Sequence, residues 1–125
     1  MNRCKKNIVI IEDDPVLRKL TQTALSLEGY HVDMFEDGAE GISYLETHLQ
    51  EVDLILLDLF MPVLDGMQVL NWLRKLHQSS VKVIIMTAMN DTETESNLLS
   101  AGADIVIKKP LDMRILITSV QDVLK

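Results

Sequence analysis

Asp58 closes a continuous apolar run, Leu54 to Leu57, and an aspartate at the end of a buried strand needs a reason to be there. Burial disfavours the charged carboxylate, so a cation, hydrogen bonds or a chemical use must answer it. Three other places in the chain offer such groups. Glu12 and Asp13 follow the run NIVII, Thr87 follows VKVIIM, and Lys109 stands before Pro110 after ADIVIK. Clustered carboxylates repel one another unless a cation sits among them. With oxygen ligands and no nearby His or Cys, the suited ion is hard and divalent, and Mg²⁺ is the natural choice where phosphate is handled. A phosphoryl group held there would need donors for its remaining oxygens, and a threonine and a lysine are of the right type. Asp58 would then be the nucleophile, since carboxylates form acyl phosphates.

Each piece alone has a plainer reading. Asp14 before Pro15 is a helix cap, Glu12 and Asp13 could be a solvated turn, Thr87 a loop residue, and Lys109 a surface charge completing a turn with Pro110. The Asp65-Gly66 pair reads as turn chemistry, with glycine supplying a backbone conformation that other residues resist. The case for a site rests on joint arrival, and that depends on the elements that carry these residues.

Asn7–Ile11, 53–57, 81–86 and 105–107 are rich in β-branched and aliphatic residues, as expected of strands covered on both faces, while His31–Phe35 alternates and suits a sheet edge. Between them lie segments of helical spacing. The first is capped by Asp14, carries Leu17, Leu20, Ala24 and Leu27, and stops at Gly29. A second runs from Gly38 to about Leu49. A third carries Met67, Leu70 and Leu73 and ends near His77. A fourth starts at Asp91 or Thr92 and runs to Ala101, and the last spans Leu111 to Lys125 with Leu116, Val120 and Val123 inward. Strand and helix thus alternate five times, which predicts an α/β doubly wound fold with a five-stranded parallel sheet and right-handed crossovers. In such sheets ligands bind outside the carboxyl ends of the strands. That edge receives Glu12, Asp13, Asp58, Thr87 and Lys109.

The chain of 125 residues is read as one domain, 1–125, and its 47% hydrophobic and 25% charged residues are those of a folded soluble protein. A formal charge of -7 argues against direct nucleic-acid binding by this domain. No apolar run approaches the roughly 20 residues that span a bilayer, and the N-terminus lacks a signal-peptide pattern, so the expectation is a cytoplasmic protein with no membrane contact. The lone Cys4 agrees with a reducing compartment. His31, His48 and His77 share no ligand spacing and are read as surface residues.

The motifs IVIIEDDP, LLDLFMPVLDG, IIMTA and ADIVIKKP, in that order and over essentially the whole chain, resemble the response-regulator receiver domain of two-component signalling. The resemblance implies a flavodoxin-like strand order 2-1-3-4-5, Asp58 as phosphoacceptor, and Mg²⁺ held by Glu12, Asp13, Asp58 and the backbone carbonyl of Phe60. It implies that Thr87 and Lys109 contact the phosphoryl group and couple it to the surface, and that the bond before Pro110 is cis. The partners it implies are a sensor histidine kinase or histidine phosphotransfer protein, and a downstream protein on the face of the fourth helix, fifth strand and fifth helix. Phe60 and Met89 fall where similar receivers tune water access. Val106 departs from the pattern, standing where many receivers have an aromatic switch residue.

Two other classes compete. A haloacid-dehalogenase-like phosphatase would need a second aspartate at the place of Phe60, so turnover as an enzyme is not expected. A dinucleotide-binding domain would need a G-x-G-x-x-G after the first strand, which is absent. The remaining alternatives are a receiver-fold interaction module without phosphorylation and a receiver from a longer DNA-binding regulator.

Overall fold

The computed structural model describes residues 5–89 and 91–125; Cys4 and Asn90 lie outside the described residues. The order is β1 (Asn7–Ile11), α1 (Pro15–Leu27), β2 (His31–Phe35), α2 (Gly38–His48), β3 (Leu54–Asp58), α3 (Gly66–Asn71), β4 (Lys82–Thr87), α4 (Thr92–Ser100), β5 (Ile105–Lys108) and α5 (Met113–Val123). The strands form one parallel sheet in the order β2-β1-β3-β4-β5, the flavodoxin-like arrangement expected.

Alternation along the central strands fills both faces. Val9, Ile11, Ile55, Leu57, Val83 and Ile85 pack with Leu45, Val69, Leu70, Leu73 and Leu98, so α2, α3 and α4 cover one side. Ile8, Ile10, Leu54, Leu56, Ile84 and Met86 pack with Leu25, Leu116 and Val120, so α1 and α5 cover the other. The continuous apolar runs in the sequence follow from this, because a strand buried on both faces has no position left for a polar side chain. Among the described residues no helix is long and apolar enough to cross a membrane.

Several local expectations are corrected. On α1 the buried positions are Thr21 and Leu25, while Leu20 is 56% and Leu27 81% exposed. The apolar residues at helical spacing therefore do not all face the core. After Asn71 the third helix widens into a π-helical turn over Trp72–Leu76, from which Arg74 donates to the Gly102 carbonyl in the turn before β5. Asp65 is more than a turn residue. Its carboxylate accepts from Gln68 N at 2.9 Å while Gln68 Oε1 accepts from Asp65 N at 2.8 Å, a reciprocal cap for α3. Gly66 is absent from the residues of positive φ, so left-handed backbone is not its role. A Cβ there would lie 2.6 Å from the Asp58 carbonyl oxygen, so glycine is needed for the close approach of α3 to the end of β3. His31 and His77 are exposed as expected, but His48 is half-buried and stacks on Tyr44 with ring centroids 4.2 Å apart.

Candidate functional site

Backbone pairing delivers the site residues to one edge. Ile11 pairs with Leu57, Asp58 with Met86 and Thr87 with Lys108, so β1, β3 and β4 end one residue apart in register and β4 and β5 end together. The following turns are tied to neighbouring strands: Glu12 N donates to Phe35 O at 3.1 Å, Leu59 N to Met86 O at 2.9 Å, and Lys109 N to Thr87 O at 2.8 Å. The peptide between Lys109 and Pro110 is cis.

Lys109 Nζ lies 2.9 Å from Glu12 Oε1 and 3.1 Å from Asp58 Oδ1, so one ammonium is shared by two carboxylates. Glu12 and Asp58 are only 1% and 3% exposed, whereas Asp13 faces solvent. Glu12 Oε2 accepts from Asp14 N at 3.1 Å. Glu12 Oε1 is buried without a hydrogen bond of good geometry and has the lysine as its counter-charge. Asp14 is the cap of α1, accepting from Val16 N at 3.0 Å and Leu17 N at 3.3 Å, as its position before Pro15 predicts. Thr87 is buried, and its hydroxyl accepts from Met89 N at 3.0 Å, which leaves the O–H proton available to a ligand. Phe60 and Met89 are both exposed.

The electrostatics are unbalanced. Burial first, then the neighbouring Glu12, pushes the Asp58 carboxyl up to about 7, with Lys109 opposing. Burial alone would lower the Lys109 ammonium, but its hydrogen bonds and charge attraction to Glu12 and Asp58 outweigh it and raise its pKa. Carboxylate oxygens of Glu12, Asp13 and Asp58 lie within 4.8 Å of one another. Three carboxylates face one ammonium, so about two negative charges are uncompensated when all are ionised. An all-oxygen set with that deficit fits a hard divalent cation, since the one ammonium present answers only part of its charge.

One contact has no counterpart in the sequence reading. Arg18 Nη1 donates to the Glu12 carbonyl oxygen at 2.7 Å. The available signal was electrostatic: a cation in the first turn of a helix opposes the positive end of the helix dipole, and such a placement needs compensation.

A family model of the response regulator receiver domain matches residues 8–121. The chain is 36% identical over 124 residues to the probable transcriptional regulator ycf27 of Cyanidium caldarium, covering 99% of this chain and 48% of that protein. It is 35% identical over 118 residues to the response regulator ArlR of Staphylococcus aureus, covering 94% of this chain and 52% of that protein. The chain thus spans about half the length of the curated relatives it matches. Among solved structures, a CheY-like response regulator receiver domain protein from Methanospirillum hungatei JF-1 matches with TM-score 0.87 and 31% identity, covering 96% of this chain and 94% of that one. The receiver domain of the Francisella response regulator 1452 matches with TM-score 0.90 and 28% identity, covering 96% and 97%.

Proposed function

The chain belongs to the response regulator receiver domain family, and on that premise we propose that Asp58 accepts the phosphoryl group in a Mg²⁺-dependent reaction. The observation that carries this reading is a nearly inaccessible carboxylate whose only cationic contact among the described residues, Lys109, is shared with Glu12 among three clustered carboxylates. A purely structural aspartate would have its charge compensated. This one keeps a deficit that a divalent ion answers.

Glu12, Asp13 and Asp58, with the Phe60 carbonyl, are the proposed Mg²⁺ ligands. Bound there, the ion would supply charge neutralisation for in-line transfer. Asp58 reacts as the carboxylate; a cation held by these residues would lower its pKa from about 7 and keep it ionised at neutral pH. One Asp58 oxygen attacks phosphorus on a phosphohistidine donor. The new P–O bond forms as the P–N bond breaks, and the imidazole leaves with the electron pair. Lys109, already beside Asp58, follows the phosphoryl oxygens, and the Thr87 hydroxyl donates to another. The family context supports a sensor histidine kinase or histidine phosphotransfer protein as donor. The apolar side chains exposed on α1 near the entrance, Val16 and Leu20, suit a protein donor rather than a small one.

Phosphorylation then stabilises a conformer in which Thr87 moves inward, and the face formed by α4, β5 and α5 signals to a protein target. Val106 is half-buried and packs against the core cluster, so the signal proceeds without an aromatic rotamer change at that position. The Cyanidium relative, described as a probable transcriptional regulator of about twice this length, supports a second reading in which this receiver controls a DNA-binding output.

Incubation with a small phosphodonor and Mg²⁺, followed by intact mass, tests the acceptor. A base-labile phosphoryl adduct on wild type and none on Asp58→Asn is expected; an undiminished adduct on the variant defeats the assignment. Neither Phe60 nor Met89 can orient an attacking water, so autodephosphorylation is expected to be slow and to accelerate when either is replaced by a residue that can. A fast decay that stays fast in Phe60→Ala and Met89→Ala contradicts this.

A further inference from the structure

We infer that Arg18 is a positioning residue for the acidic pair: by holding the carbonyl oxygen of the peptide that joins Glu12 to Asp13, it fixes the direction in which Asp13 presents its carboxylate. The inference rests on the proposed reading in which Glu12 and Asp13 hold Mg²⁺.

Glu12 is restrained from several sides. Its N–H donates to Phe35 O at 3.1 Å, its Oε2 accepts from Asp14 N at 3.1 Å, and its Oε1 meets Lys109 at 2.9 Å. Asp13 is different. It is solvent-facing, and its Cα direction follows from the orientation of the Glu12–Asp13 peptide plane. Rotation of that plane would swing Asp13 away from the other two carboxylates while leaving the Glu12 side chain in place. Arg18 closes this freedom. Its backbone N–H bonds the Asp14 carbonyl at 2.9 Å within α1, and its guanidinium turns back past the cap to the Glu12 carbonyl at 2.7 Å. The restraint is anchored in a helix and directed at one peptide.

Two electrostatic effects argue against a cation here: the positive end of α1 and the cation that the carboxylates would hold. The first disfavours Arg18 in the folded helix, and the second makes it, as a charge, unfavourable for Mg²⁺ affinity. As a tether it is favourable, because a short charge-assisted hydrogen bond holds the ligand geometry before the ion arrives. The rim is solvent-facing on the Asp13 side, where repulsion is screened, so the tether outweighs the charge.

The two roles predict opposite signs, which makes the test decisive. Titration of MgCl₂ into unphosphorylated protein, followed through the Glu12 and Asp13 amide NMR signals, measures affinity, and thermal midpoints in chelator measure folding. Arg18→Met is expected to weaken Mg²⁺ binding about tenfold, the lower end of what loss of a ligand-orienting partner costs, with its midpoint in chelator unchanged. Arg18→Lys, with one compact donor in place of the fork, is expected to recover part of the affinity. Unchanged or tighter binding in Arg18→Met overturns the inference, as does a lowered midpoint with normal affinity. If wild type itself shows no saturable Mg²⁺ response, the metal reading falls and takes the inference with it. If wild type binds and Arg18→Met binds equally well, the inference alone falls.

Discussion

The two ends of the sheet use the same kinds of side chain to opposite effect. At the end where β4 and β5 begin, the carboxylate of Asp104 is compensated: its Oδ2 accepts from Val83 N at 2.9 Å and from Arg74 Nη2 at 3.3 Å, with Lys82 at 4.0 Å from Oδ1. Arg74 also donates to the Gly102 carbonyl at 3.1 and 2.9 Å and to the Ser79 carbonyl at 2.8 Å. Across the sheet Asp53 accepts from Asn7 N at 2.8 Å, joining β3 to β1. At the other end Glu12 and Asp58 share one ammonium, and a third carboxylate, Asp13, lies beside them. A carboxylate surrounded by donors fixes strands in register. A buried carboxylate left short of positive charge destabilises the fold and suits the cation and chemistry proposed for it.

That contrast predicts opposite outcomes for removing charge at the two ends. The largest effect belongs to Asp58. Its folded pKa of about 7 stands above the ordinary 3.8. Between those values the folded protein holds a proton that the unfolded chain has released, so stability falls as pH rises through the window. The full penalty applies above about pH 7, and none applies below about pH 4, where both states are protonated. A shift of this size corresponds to at most about 4 kcal/mol. Asp58→Asn in chelator should therefore be more stable than wild type at pH 8 and comparable at low pH, as measured by urea denaturation. Equal stability of the two proteins at pH 8 would erase the difference between the ends. Lys109, whose pKa is raised, contributes stability that is lost only in the alkaline range, outside this window.

Arg74→Met is the reciprocal experiment. The guanidinium is largely buried and its bonds join the end of the third helix to the turns before β4 and β5. Its removal leaves carbonyls and the Asp104 carboxylate short of donors and should cost about 3 kcal/mol. Mg²⁺ affinity and the yield of phosphoryl adduct on the folded fraction should not change. A variant that keeps its stability but loses phosphorylation would show that the two ends are coupled rather than separate.

How much of this was legible follows from the range over which each feature is encoded. The strand runs announced themselves because both faces of the sheet are covered, and the alternation of strand with helix then forced the parallel topology. Glu12, Asp13, Asp58, Thr87 and Lys109 could be brought to one edge by that topology alone, without contacts. What escaped depends on individual side-chain reach. Leu20 and Leu27 look like core residues of α1 by spacing, yet the helix turns Thr21 and Leu25 inward. Gly66 looks like a residue needed for unusual backbone torsion, yet what excludes a side chain is the Asp58 carbonyl, which belongs to another element. The reach of Arg18 back to Glu12 and of Arg74 across to Gly102 are likewise tertiary facts.

The smallest expected effect tests whether the reactive end stores strain in its backbone as well as in its charges. Val63 has φ 69° and is 95% exposed, and Leu64 N donates to Pro62 O at 2.8 Å across it. This is a three-residue turn of the uncommon hand, with a β-branched residue at its centre. Left-handed backbone costs such a residue roughly 1–2 kcal/mol, and an exposed side chain recovers little of that through packing. Val63→Gly relieves the strain but adds freedom to the unfolded chain, a loss of roughly 0.5–1 kcal/mol. The net expectation is a gain of about 0.5 kcal/mol. Val63→Asn tolerates the same torsion without the full entropic loss and should gain at least as much. Denaturant midpoints of the two variants decide it. If both lose stability, the Val63 side chain supports the turn and the strain at this end is confined to its carboxylates. If both gain, the loop after Asp58 is held in a costly shape by its sequence, and strain of this kind is then shared by both ends, since Gln78 in the turn before β4 also has a positive φ, 49°.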